Sequence, residues 1–216
     1  MYAYLQKGET KLAMEQLDYF KTIKEVYPDN MKVAYSFASI PARYVLENKM
    51  WKEAAALEIN PSNFPWEKFA WQKAIFHFTR SLGAANSDQL DLAKAEWDEL
   101  NKLHDELVKQ KETYKANQVD IQLRASLAWI QFKEGKNKEA LDNMNLSADM
   151  EDKTEKHPVT PGEVLPAREL LADMLMQMNK PVQALEMYEA SLRTRPNRHN
   201  SIYGAWAAAE ASGKKE

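Results

Sequence analysis

Four times along this chain a turn-forming residue is followed five positions later by an alanine: Gly8 and Ala13, Lys49 and Ala54, Gly135 and Ala140, Asn179 and Ala184. The first residue ends one helix, and the alanine falls where the next helix crosses back closest to it. A larger side chain there would hold the two helices apart. The offset therefore predicts antiparallel helical hairpins stacked along the chain.

The segments between these turns carry the matching 3.6-residue period. Leu90, Ala93, Trp97, Leu100, Leu103 and Leu107 recur at steps of three and four among charged residues, as one face of an amphipathic helix must. Further stripes run through Ile121, Leu127, Trp129, Ile130 and Phe132, and through Leu170, Leu171, Leu175, Ala184, Leu185, Tyr188 and Leu192. No alternating, β-branched run competes, so the fold class is all-α. Only 6 glycines stand against 6 Trp, 9 Tyr, 7 Phe and 10 Met, a composition poor in the material of phosphate loops and nucleophile elbows.

Breaks at Gly8, Lys49, Ser81 to Ser87 (SLGAANS), Gly135 and Asn179 are short; those at 27–30, 59–65, 151–166 and 194–197 are longer. This rhythm predicts one helical-repeat domain over 1–216, with hairpins at about 1–27, 31–60, 66–112, 116–150 and 165–196 and a closing helix at 199–212. The first hairpin has room for only two turns before Gly8. It reads as cut in half, as if the chain were the C-terminal part of a longer array.

Balance of charge narrows the function classes. With 29 basic and 32 acidic residues the formal net charge is -3, which provides no field to gather nucleic acid. The absence of cysteine excludes disulfides, thiolate metal sites and a cysteine nucleophile. No apolar stretch reaches the length of a membrane span, so no membrane insertion is expected, and the compartment is left open between cytoplasm and periplasm.

One 34-residue unit, Leu165 to Arg198, resembles a tetratricopeptide repeat. It places Leu171, Ala172, Leu175, Asn179, Ala184, Tyr188, Ser191 and Pro196 at that pattern's characteristic positions. Leu175 replaces an aromatic, Asn179 a glycine and Arg168 a tryptophan. The other units are looser, their crossing alanines lying 39 to 47 residues apart. The strings SIPARYVLENKMWKEAAAL, IFHFTRSLGAAN and RPNRHNSIYGAWAAAEASG resemble the C-terminal half of large bacterial tetratricopeptide-repeat proteins. That resemblance implies a right-handed α-solenoid acting as a non-catalytic protein or peptide interaction scaffold, without cofactor.

In such a solenoid the first helices of successive hairpins line a concave groove. By position the lining includes Arg43, Trp129, Phe132, Glu169, Asp173 and Tyr203, with Arg80 from the irregular third unit, which would suit a peptide or helix. The competing reading makes Trp129 and Phe132 inter-helix core. Dense aromatics from Phe64 to Phe78 also read as core.

No catalytic motif is present, and His77, His104, His157 and His199 are too far apart to form a spacing motif. The proline-stiffened connection 151–166 offers Glu151, Asp152, His157 and Glu163 as a possible loop site where oxygen and imidazole groups could converge, although the spacing matches no metal pattern. The alternative from another class is the supporting half of a metal-dependent enzyme whose catalytic residues lie upstream. Self-association through the shortened first hairpin is a further possibility.

Overall fold

The structure is a computed structural model that describes residues 1–155 and 163–213. Among these residues it contains eleven α-helices and no strand. They are α1 (Tyr2–Gln6), α2 (Thr10–Lys21), α3 (Met31–Glu47), α4 (Trp51–Ala55), α5 (Ala70–Asn86), α6 (Leu90–Lys109), α7 (Thr113–Lys133), α8 (Asn137–Lys153), α9 (Ala167–Gln177), α10 (Pro181–Thr194) and α11 (His199–Ser212).

The turn-plus-five pattern has a common backbone basis, and it recurs six times. At Gly8, Lys49, Asp88, Lys111, Gly135 and Asn179 the chain enters the left-handed region, with φ between 52° and 80°. Each time the following N–H donates to the carbonyl five residues back, from Glu9 to Tyr4, Met50 to Val45, Gln89 to Ala84, Glu112 to Leu107, Lys136 to Gln131 and Lys180 to Leu175, at 2.9–3.0 Å. This is the hydrogen bond that closes a Schellman turn. The same following residue then starts the next helix, its carbonyl accepting from the N–H of Ala13, Ala54, Ala93, Ala116, Ala140 or Ala184. Five of these alanines are wholly buried and Ala116 is 6% exposed. One compact device therefore ends a helix, begins its neighbour and places a small side chain at the crossing.

Two of the six turns depart from the sequence reading. The SLGAANS stretch is not a break, because α5 continues to Asn86 and the turn falls at Asp88. Gly83 is helical. A side chain there would meet the backbone N of Ala55 at 2.4 Å and the Cβ of Ala54 at 2.6 Å, so glycine is what lets α4 lie against α5. The sixth turn, at Lys111, joins α6 to α7.

Successive helices pack as neighbours, and the odd-numbered ones also pack on each other: α1 on α3, α3 on α5, α5 on α7, α7 on α9 and α9 on α11. The odd helices thus form an inner layer and the even ones an outer layer. Near the chain ends α1 also touches α11. The aromatic segment before and along α5 is core as anticipated: Phe64, Trp66, Trp71, Phe76 and Phe78 are buried, and Trp66 meets Phe76 edge to face at 5.1 Å. No helix is long and apolar enough to cross a membrane among the described residues.

Candidate functional site

The meeting of the two chain ends is polar. Arg198, 3% exposed, donates from Nε and Nη2 to both oxygens of Glu169 on α9 at 2.7 and 2.8 Å, and its Nη1 lies 2.8 Å from Glu47 on α3. The side chain of Asn200 donates to the Glu47 carbonyl at 2.9 Å, and Ser201 donates to Glu169 at 2.6 Å. Lys49 pairs with Asp173 at 3.0 Å, and the His199 N–H donates to Gln6 at 3.0 Å. Burial opposes the charge on Arg198, yet Glu169 and Glu47 hold its pKa above the ordinary value. Burial raises the pKa of Glu47, against the pull of Arg198.

Several residues expected to line an open groove are buried. Trp129 is 1% exposed, Glu169 1% and Arg43 5%. Trp129 packs edge to face on half-buried Phe132 at 5.9 Å, so the core alternative describes it. Arg43 donates to the Glu163 carbonyl at 2.8 Å and lies over the Tyr2 ring. Asp173 is held between Lys49 and the Tyr188 hydroxyl, 2.6 Å away, and burial raises its pKa. Of the seven groove residues, Arg43, Trp129 and Glu169 are sealed from any partner in this conformation. Arg43 is engaged by Tyr2 and the Glu163 carbonyl and Glu169 by Arg198 and Ser201, while Trp129 is packed within the helical core. Tyr203 is 63% exposed and stacks beside Trp206.

The loop carboxylates are brought together, but onto arginine. Arg195 bonds both Glu151, at 2.6 Å, and Glu163, while Arg168 pairs with Asp152 at 2.8 Å and with Asp149. Glu151 Oε1 also accepts from the Ala167 N–H at 3.1 Å, at the start of α9. Burial, reinforced by the neighbouring charge of Glu163 and opposed by Arg195, pushes the Glu151 carboxyl up to about 8. His157 lies outside the described residues. Among the described residues these carboxylates form a pair of arginine clamps that anchor the end of α8 to α9 and to the end of α10.

An accessible apolar site lies elsewhere, on the outer side of α3. A cavity of about 500 Å³ opens between α2, α3 and residues 53–60, within the roughly 300–1,000 Å³ of typical ligand pockets. Leu17 and Phe20 of α2 form one wall. From α3 the lining takes Phe37 and Val45, both buried, and half-buried Pro41, and Leu57 contributes from beyond α4. Pro41 offers no N–H to the Phe37 carbonyl one turn back. Lys21 and Lys24 stand on the α2 side, with Glu53 and Glu58 opposite.

The site exists because α4 stops after five residues, at Ala55, while α3 runs for 17. Beyond Ala55 the chain is no longer helical, and Arg80 holds it there: its Nε donates to the Leu57 carbonyl at 2.6 Å. Arg80, expected as groove lining, instead positions a wall of this outer site, and its Nη1 also approaches Glu96 at 3.7 Å. Sequence reasoning missed the cavity. The available signal was Pro61 in INPSNFP, which bars a long second helix in that hairpin. No protein-family model, no curated protein and no solved structure matches this chain.

Proposed function

We propose that the chain is a non-catalytic interaction scaffold, a tetratricopeptide-like solenoid wound until its ends meet, which binds a segment of a partner protein through the outer cavity beside α3. The repeated Schellman turn supports the repeat reading. The observation that carries the binding reading is a cavity of about 500 Å³ beside α3, lined by Phe20, Pro41 and Leu57 among apolar residues and by Lys21, Lys24, Glu53 and Glu58 among charged ones. Apolar surface of this kind, rimmed by charge, marks interaction sites. The buried ion pairs of the inner face serve as structural ties in this reading, and the peptide-binding role moves from Arg43, Trp129 and Glu169 to the outer site.

Selection of a random peptide display library on the purified protein tests it. Counter-selection uses Ala56→Trp, which adds bulk at an exposed lining position without touching the core. Enrichment of related sequences that bind the wild type and not Ala56→Trp is the expected outcome. If no enriched sequence is sensitive to Ala56→Trp, the proposal fails.

A further inference from the structure

We propose that the outward face of α11 is a self-association surface, on which a second copy of this chain packs its own α11 antiparallel. It goes beyond the interaction reading above, because none of its residues lines the cavity beside α3.

The exposed face of α11 differs in chemistry from those of its neighbours. Helices α2, α6, α8 and α10 turn several charged residues to solvent, whereas α11 carries His199 at its start, Glu210 near its end and no Asp, Lys or Arg. Its buried side holds Ser201, Gly204 and Ala208. Ser201 donates to Glu169 of α9, and Gly204 lies against the Tyr188 ring of α10. On the opposite side Ile202, Tyr203 and Trp206 are 50%, 63% and 58% exposed. Exposed His199 and Glu210 extend the same stripe at either end, at the i, i+3, i+4, i+7 and i+11 spacing of a single helical face. The rings of Tyr203 and Trp206 lie 5.5 Å apart, so the pair is ordered by mutual contact and loses little freedom when covered.

The area is what a small dimer interface needs. A large aromatic side chain buries about 150–250 Å², so at these exposures the two rings and Ile202 offer about 350 Å² per copy. Two copies bring together about 700 Å² from six side chains, and the alanines and end residues around them raise the total to about 1,000 Å², the lower bound for a specific interface. Contiguous apolar surface of this extent on a helix marks an interaction site.

The stripe is also its own complement. Two antiparallel copies of α11 that cross midway between Tyr203 and Trp206 set Tyr203 of one copy against Trp206 of the other, and the same two-fold operation sets His199 of one against Glu210 of the other. Both pairs share one midpoint, between residues 204 and 205, and every contact is made twice. That coincidence selects a second copy over an unrelated helix. A parallel pairing would instead oppose Glu210 to Glu210, which costs affinity. The antiparallel one brings each carboxylate to the positive N-terminal end of the facing helix.

Sedimentation equilibrium of the full chain tests this. Between about 1 and 200 µM a reversible monomer–dimer equilibrium should appear. Trp206→Glu and Tyr203→Ser, both at exposed positions, should each raise the dimer dissociation constant by about tenfold or more. Their melting curves at monomeric concentration should match the wild type, which separates lost association from lost folding. Glu210→Lys and His199→Glu should each weaken the dimer by about tenfold, and the two together should restore it. A chain that is monomeric throughout overturns the proposal. So does a dimer that neither Trp206→Glu nor Tyr203→Ser disturbs, because its interface lies elsewhere. Single charge variants without effect, or a double variant that does not recover, overturn the antiparallel pairing.

Discussion

Replacing Gly83 by alanine puts two well-known effects in opposition. Gly83 is in the interior of α5, where alanine is intrinsically better by about 1 kcal/mol. A purely local view therefore predicts stabilisation. The added Cβ, however, would sit 2.4 Å from the Ala55 nitrogen and 2.7 Å from the Ala54 carbonyl carbon. Carbon contacts settle near 3.5–4.0 Å, so α4 has to retreat by about 1 Å. The atoms in the way are backbone, and they cannot swing aside. Short α4 is tethered by the Lys49 turn at its start and by the Arg80 bond to Leu57 after its end, so the strain spreads into both. Overpacking costs about 1–3 kcal/mol, and with rigid backbone as the obstacle the cost falls in the upper part of that range, about 2–3 kcal/mol. Net destabilisation of about 1–2 kcal/mol should follow, and for a chain of this size that lowers the Tm by roughly 2–8 °C. Adding Ala54→Gly removes the 2.6 Å Cβ contact but not the two backbone ones, so rescue should be partial. Scanning calorimetry or urea unfolding decides it. A Gly83→Ala protein as stable as the wild type, or more so, would refute the close approach of α4 and α5.

Trp129→Ala should cost about 3–5 kcal/mol of stability, because the ring is 1% exposed, and should leave binding of display-selected peptides unchanged in the folded fraction; weakened binding without lost stability would return Trp129 to a recognition role. The Glu151 carboxyl, near its ordinary value of 4.5 when unfolded and about 8 when folded, binds its proton more tightly in the native state. Its contribution is complete below pH 4.5 and disappears as pH rises through 8. Wild-type Tm should therefore fall between those limits, and Glu151→Gln should flatten the slope; a flat or rising wild-type profile contradicts this. Lys111→Gly should stabilise by about 0.5–1 kcal/mol, because it removes a left-handed non-glycine residue with φ of 61°. Gly135→Ala should cost about 1 kcal/mol although its Cβ would meet nothing within 4 Å. Urea midpoints unchanged in both would show that turn conformation does not limit stability.

What was legible in the sequence was local. A C-terminal turn and the helix start after it are completed within about ten residues, so Gly8, Gly135 and Asn179 announced their turns by residue type. Asp88 and Lys111 adopt the same conformation without the residue types that advertise it, and only the alanine five positions on marks them. Gly83 misled for the opposite reason: its missing side chain serves a neighbouring helix, and it reads along the chain as a break.

Helical periodicity determined that the chain would be all-α, where its helices double back and which faces are buried. It could not determine what each face is buried against. A stripe bearing Arg43, Trp129 or Glu169 reads the same whether it lines an open groove or is sealed under another helix. Tertiary structure decided that by bringing α1 and α3 to α9 and α11, where Arg198 holds Glu169 and also reaches Glu47, more than a hundred residues away in the chain. An ion pair at that separation leaves no spacing to read. The outer cavity was settled in the same way, because it arises from the difference in length between α3 and α4 and from the Arg80 bond to the chain beyond α4.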